Sequence, residues 1–390
     1  MNIIENDKKY IANTYSRFPT VADCGKGSII WDTAGKEYID LASGIAVNSF
    51  GICDEEWIAA VEKQLHKLQH ISNLYYTEPQ VTLAKMLCEK TGMEKVFFSN
   101  SGAEANECAI KCARKYSNDK YGSGRYKILS LINSFHGRSL ATLSATGQED
   151  LHKDFSPLVD GFKYIPADDF KALEKSCDDT VCALILELVQ GEGGVNALDK
   201  SYVAQAAKLC ADKDILLIID EVQSGNGRSG TLYAYMQYDI EPDIVTTAKG
   251  LSGGLPLGAC MMGKKTKNTL SPGSHGSTFG GNPICAAGAI SILSRIDEKL
   301  LKSVKEKSVY ISSQLKDAEG VCSLSGLGLM IGVETKRDAK QIAAECLKQG
   351  LIILTAKSKL RLLPPLNIEM PVLEKALRIL KGVIGNEALT

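Results

Sequence analysis

ILLIID at 215–220 and DIVTTAK at 243–249 are two apolar runs that each end on one ionisable residue, Asp220 and Lys249. Short, near-continuous apolar runs suit strands buried on both faces of a parallel sheet. Three further runs share the pattern. KVFFS (95–99) precedes a helix expected over 101–116, YKILSLI (126–132) precedes a polar turn at 133–138, and VCALILEL (181–188) runs into QGEGG. Strand-like runs alternating with helix-period segments predict an α/β layer architecture with a mainly parallel central sheet. In open sheets of this kind ligands bind beyond the carboxyl ends of the strands. Ser99, Ser101, His136, Arg138, Glu187, Gln190, Asp220, Gln223 and Lys249 all follow such runs, so the fold should gather them.

The chain ends read differently. SIIWD and KEYIDL near the start are short strand-like pieces, 290–315 reads as one helix, and short strands are expected near 330–334 and 359–363. This pattern predicts a large domain over 51–290 and a smaller α+β domain built from 1–50 and 291–390.

Bulk properties exclude several function classes. The chain has 390 residues, 44% of them hydrophobic, enough for a sizeable core. A net charge of −1 offers no basic patch for nucleic acid or acidic membranes. The 12 cysteines are scattered with no C-x-x-C pair, and the five histidines form no metal motif, so reduced thiols and no metal site are expected. MNIIENDKKY has no apolar core for a signal peptide, and no stretch approaches the roughly 20 apolar residues of a membrane span. A soluble, cytoplasmic protein is expected.

Three local signals carry chemistry. SNSGAEANE (99–107) places Ser101 three residues before Glu104, a capping box at a helix start. Free amides of Gly102 and Ala103 there would suit a phosphate, although an ordinary helix start reads the same way. Asp220 ends a buried strand, which is costly unless a cation such as a protonated pyridine nitrogen faces it; metal binding or capping are the alternatives. Lys249 lies among small residues in TTAKGLSGG, where a lowered pKa would give the neutral amine that Schiff-base chemistry needs. Each signal alone is weak. Together, and in this order, they supply an anion site, a carboxylate and an amine, which are the three anchors of pyridoxal phosphate.

From about Gly25 to about Ile368 the sequence resembles the class-III pyridoxal-phosphate aminotransferases. The resemblance is carried by SGIAVN, HISNLYY, FFSNSGAEANECAIKCARKY, SFHGRS, LSATGQ, VQGEGGV, LLIIDEVQSGNGRSG, PDIVTTAKGLSGGLPLGA, HGSTFGGNP and LRLLPPL. It implies a fold-type-I transferase. Lys249 would hold the cofactor covalently and then shuttle a proton, and Asp220 would pair with the ring nitrogen. Gln223 would bond the ring hydroxyl, and Phe135 and Val222 would cover the two ring faces. Ser101, Gly102 and Ala103 would hold the phosphate. Thr278 would reach the phosphate of a neighbouring subunit's cofactor and Ser277 would lie beside the substrate in the same way, giving a homodimer with shared sites. Arg138 would clamp a substrate carboxylate, and Glu192 with Arg361 would form a switchable ion pair.

SGIAVN with SNSGAEANE favours the branch acting on acylated ornithine, and Gly44 stands where ornithine-specific members carry a tyrosine. The implied reaction moves the δ-amino group of N2-acetylornithine to 2-oxoglutarate, giving N-acetylglutamate 5-semialdehyde and glutamate, a step of arginine biosynthesis. Succinylornithine, 4-aminobutyrate, ornithine or a lysine-pathway amine are alternative donors. An aminomutase and a non-enzymatic pyridoxal-phosphate binder are more distant alternatives. GICDEEW (51–57) departs from the family's histidine-proline signature, as does Ser139 from its usual threonine.

Overall fold

In the computed structural model, which describes residues 2–385, seven strands form the central sheet. They are β1 (Lys95–Ser99), β2 (Lys127–Leu131), β3 (Phe162–Ile165), β4 (Val181–Leu186), β5 (Leu216–Asp220), β6 (Ile244–Thr247) and β7 (Gly258–Met262). Their order across the sheet is β1-β7-β6-β5-β4-β2-β3. β7 runs antiparallel to both neighbours, and the other pairings are parallel. The apolar runs explain the middle of this sheet, because every residue of β4, β5 and β6 is buried.

Two strands are additional to the expected five. FKYI of β3 is a partly exposed edge strand of only four residues, and GACMM of β7 is fully buried yet poor in β-branched residues. The helix expected over 101–116 is Gly102–Tyr121, running on until Gly122 takes φ +80°. The single helix expected over 290–315 is instead two, Pro283–Arg295 and Glu298–Leu315. The break comes where the Asp297 side chain accepts from Leu300 N–H and starts the second helix.

The chain ends carry two four-stranded sheets. Ile29–Asp32 and Glu37–Asp40 lie in one, where Leu351–Ile352 pairs in parallel with Glu37–Asp40. Met330–Thr335 and Lys359–Leu362 pair antiparallel in the other. Ile39 and Leu41 share an apolar cluster with Val304, Ile342, Cys346 and Leu380, so early and late segments pack together. Among the described residues no helix is long and apolar enough to cross a membrane.

GICDEEW has a local account. Asp54 caps the helix Glu55–Leu65 by accepting from Trp57 N–H at 2.9 Å, and Arg295 pairs with the same carboxylate. Trp57 Nε1 donates to Ser252 O at 2.9 Å, bracing the glycine-rich loop just after Lys249.

Candidate active site

The carboxyl ends of β1, β5 and β6 open on a cavity of about 450 Å³. Its lining includes Ser101, Gly102, Ala103, Phe135, Arg138, Asp220, Val222, Gln223 and Lys249, which the structure therefore brings together. Glu192 and Arg361 stand behind Gln223. Arg361 Nη1 donates to Glu192 Oε1 at 2.5 Å and to Gln223 Oε1 at 3.2 Å. Ser277 and Thr278 line a second cavity, with His275, Ser72 and Phe97, rather than this one. Ser277 Oγ accepts from Asn100 Nδ2 at 3.2 Å, and Asn100 does border the first cavity.

The anion cradle is built by the start of helix Gly102–Tyr121. Ser101 Oγ accepts from Glu104 N–H, as a capping box requires. The return half differs from expectation: the Glu104 carboxylate accepts from Asn100, through its backbone N–H and Nδ2, rather than from Ser101 N–H. The first amides of a helix have no partner within it, so Gly102 and Ala103 present N–H groups at its positive end. Gly102 is required by close approach, since a Cβ there would fall 2.6 Å from Val222 Cγ1. Arg138 is exposed at the rim, its guanidinium 5.6 Å from the Phe135 ring centroid.

Asp220 is buried at the end of β5 and held from three directions. Oδ2 contacts His136 Nδ1 and accepts from Asn106 Nδ2, each at 2.8 Å, and Oδ1 accepts from Val222 N–H at 2.9 Å. Asn106 also donates to His136 O and accepts from Thr246 Oγ1, tying Asp220 to β6. His136 Nε2 is buried without a partner among the described residues. A carboxylate fixed in this way, facing an open cavity, suits a cationic ring nitrogen.

Lys249 follows β6 with φ +45°, a left-handed conformation that costs a side-chain-bearing residue about 1–3 kcal/mol. Neighbours on both sides hold it. Asn226 Nδ2 donates to Thr247 Oγ1 and Ala248 O before it, and Ser49 Oγ donates to Gly250 O after it. Burial pushes the Lys249 amine below the ordinary lysine range, against the opposing pull of Asp220, Glu192 and Glu187. Burial works against the Glu192 charge too, but Arg361 outweighs it and holds that carboxyl below its usual range. At Glu187 burial wins, and its pKa is pushed up to about 7.

Sequence reasoning missed Asn106 and Asn226. Both are polar residues inside motif stretches, and no spacing rule distinguishes them. His136 and Glu187 follow strand-like runs with no role legible in the sequence, and the structure puts both on the cavity wall. The fit to pyridoxal phosphate is good: an amide cradle closed by a glycine, a buried carboxylate, an amine of lowered pKa, and Phe135 and Val222 as walls.

Comparison with known proteins agrees with this geometry. Residues 10–384 match the family model of class-III aminotransferases. The acetylornithine aminotransferase of Haemophilus ducreyi is 50% identical over 382 residues, covering 97% of each chain. That of Caldanaerobacter subterraneus subsp. tengcongensis is 46% identical over 390 residues, covering 98% of this chain and 99% of the relative. Among solved structures, the ornithine aminotransferase of Toxoplasma gondii superposes with a TM-score of 0.93 at 31% identity, covering 98% of this chain and 94% of that one. The acetylornithine aminotransferase of Elizabethkingia anophelis superposes with a TM-score of 0.86 at 30% identity, covering 98% and 97%.

Proposed function

The chain belongs to the class-III aminotransferases, with their fold-type-I plan and pyridoxal phosphate as cofactor, and from that membership we propose that it transfers the δ-amino group of N2-acetylornithine to 2-oxoglutarate. The products are N-acetylglutamate 5-semialdehyde and glutamate, and the step belongs to arginine biosynthesis. The observation that carries the reading is Lys249, an amine of lowered pKa in one cavity with Asp220 and the amides of Gly102 and Ala103. The acyl-ornithine assignment is supported by the two curated relatives and by Gly44, which stands where ornithine-specific members of the family would carry a tyrosine.

When bound, pyridoxal phosphate supplies an aldehyde carbon that accepts the amino group and a ring that withdraws electrons from the carbon losing its proton. The protein's part is to hold and to move protons. Gly102 and Ala103 amides with Ser101 bind the phosphate, and Gln223 bonds the ring hydroxyl. Asp220, fixed by His136 and Asn106, keeps the ring nitrogen protonated. Phe135 and Val222, both on the cavity wall, would pack against the ring. Lys249 Nζ would take the proton from the amine's δ-carbon and deliver it to the carbon that the cofactor's aldehyde supplies, and a depressed pKa favours the free base this needs. Arg138 binds a substrate carboxylate by its planar fork.

Glu192 and Arg361 serve the alternation of substrates in this reading. Paired, they mask Arg361 while the amine's δ-end is at the cofactor. Separated, they leave Arg361 free for the α-carboxylate of glutamate or 2-oxoglutarate.

The assembly is read as a homodimer, with Ser277 and Thr278 reaching the partner's site. Exposed Leu74, Tyr76 and Phe279 beside the second cavity support that. A cytoplasmic setting is supported by 12 cysteines that are all free thiols. The division into 51–290 as the cofactor-holding domain, with 1–50 and 291–390 as the smaller one, is supported by the shared packing of Ile39, Leu41 and Val304.

The test is amine selectivity. With 2-oxoglutarate as acceptor, kcat/KM for N2-acetylornithine should exceed that for ornithine, succinylornithine and 4-aminobutyrate. A preference for free ornithine would move the substrate assignment to the activity named for the T. gondii neighbour.

A further inference from the structure

We propose that Glu187 is a positioning residue, clasping the loop that carries Phe135 and Arg138 to the loop that carries Glu192, so that ring wall and carboxylate clamps are set together. The inference rests on the reading that this cavity holds pyridoxal phosphate at Lys249.

Glu187 directly follows β4, is buried, and lines the cavity. Its two oxygens diverge to two loops: Oε2 accepts from Phe135 N–H at 2.8 Å, and Oε1 accepts from Gly191 N–H at 3.4 Å. The outer parts of the same loops are joined elsewhere. Gln190 Nε2 donates to Ile132 O at 3.0 Å, and a Cβ on Gly193 would fall 2.5 Å from Asn133 O. Glu187 is thus the tie at the end nearest the cavity.

Each loop delivers binding groups. Phe135 is a wall of the cavity with the Arg138 guanidinium over its ring. Gly191 is followed at once by Glu192, which contacts Arg361 and Gln223. A shift of either loop would therefore move groups on both sides of the bound substrate. A carboxylate is an expensive residue to bury here, with Asp220 carrying a like charge nearby. Simple packing would be met by an apolar side chain. Two divergent acceptors serving two separate backbone amides call for a carboxyl group, and an amide would serve only one of them well.

The test compares Glu187→Ala and Glu187→Gln holoenzymes with the parent, reading visible circular dichroism of the bound cofactor together with kcat and KM for each substrate. In Glu187→Ala the visible dichroism should change, and KM for both amine and 2-oxo acid should rise about 10-fold while kcat changes less. Glu187→Gln, which keeps one acceptor for the Phe135 amide, should restore the dichroism and recover KM only in part. Parent-like dichroism with both KM values unchanged in Glu187→Ala would overturn the proposal. Should Glu187→Ala fail to fold, parent-like KM values for both substrates in Glu187→Gln would overturn it equally. A parent protein with no visible cofactor band would instead sink the cofactor reading itself, and the clasp with it.

Discussion

Arg361 Nη1 donates to Glu192 Oε1 at 2.5 Å while its Nε, buried, has no partner among the described residues. The arginine is thus held by Glu192 on one side, and that contact is the one the proposed switch would open. Glu192→Ala should leave Arg361 permanently available for a carboxylate. The glutamate/2-oxoglutarate half-reaction should then be kept or strengthened while the acetylornithine half-reaction slows. Single-turnover rates of the two halves check this, and equal slowing of both would reduce the pair to a structural salt bridge.

His136 and Asn106 both hold Asp220 Oδ2 at 2.8 Å. Removing one hydrogen bond to a charged group costs about 1.5–3 kcal/mol, or roughly 10- to 100-fold in affinity. His136→Ala should therefore weaken cofactor retention by that order, measured by equilibrium dialysis of pyridoxal phosphate. Unchanged retention would show that Asp220 needs no such support.

Gly102→Ala places a Cβ 2.6 Å from Val222 Cγ1, where one of the two must move. Overpacking of this kind costs about 1–3 kcal/mol. The displaced cradle should also lose phosphate contacts. The expected result is a lower Tm and a lower cofactor content after dialysis, against a parent that retains its cofactor.

Glu221, next to Asp220, is fully buried, accepting from Ser224 Oγ at 2.6 Å and Tyr235 N–H at 2.8 Å. Burial raises its pKa from 4.5 to about 7. Between those values the native protein keeps a proton that the unfolded chain has lost, so this group's contribution to stability falls as pH rises through that window. Glu221→Gln removes the dependence. The Tm of the variant relative to the parent should climb from pH 4.5 to above pH 7, and a flat difference would mean Glu221 is ionised throughout.

Much of this site is legible because the parallel sheet writes its interior as apolar runs and its ligand end as the polar residues after them. Asp220 and Lys249 each end such a run, and their order along the chain with the helix start at Ser101 is what makes them readable together. Asn106 was not legible: it lies one helical turn after the cradle, and only the crossing of its helix over β5 and β6 aims it at Asp220 and Thr246. β7 was hidden for a different reason. Its Gly258 and Cys260 leave room for the helix Gly102–Tyr121 against that face, and small residues carry a poor strand signal. The helix break at Ile296–Asp297 turned on a side-chain cap that the continuing apolar period masks.

The most direct test of the central claim is the first half-reaction, followed by the visible absorption of the bound cofactor with N2-acetylornithine and no 2-oxo acid. The parent should lose the aldehyde-form band in a single turnover and regain it on adding 2-oxoglutarate. Positioned general acid–base catalysis contributes about 10²–10⁴-fold, so Lys249→Ala should slow both conversions at least that much. Conversion by Lys249→Ala at the parent's rate would contradict the account.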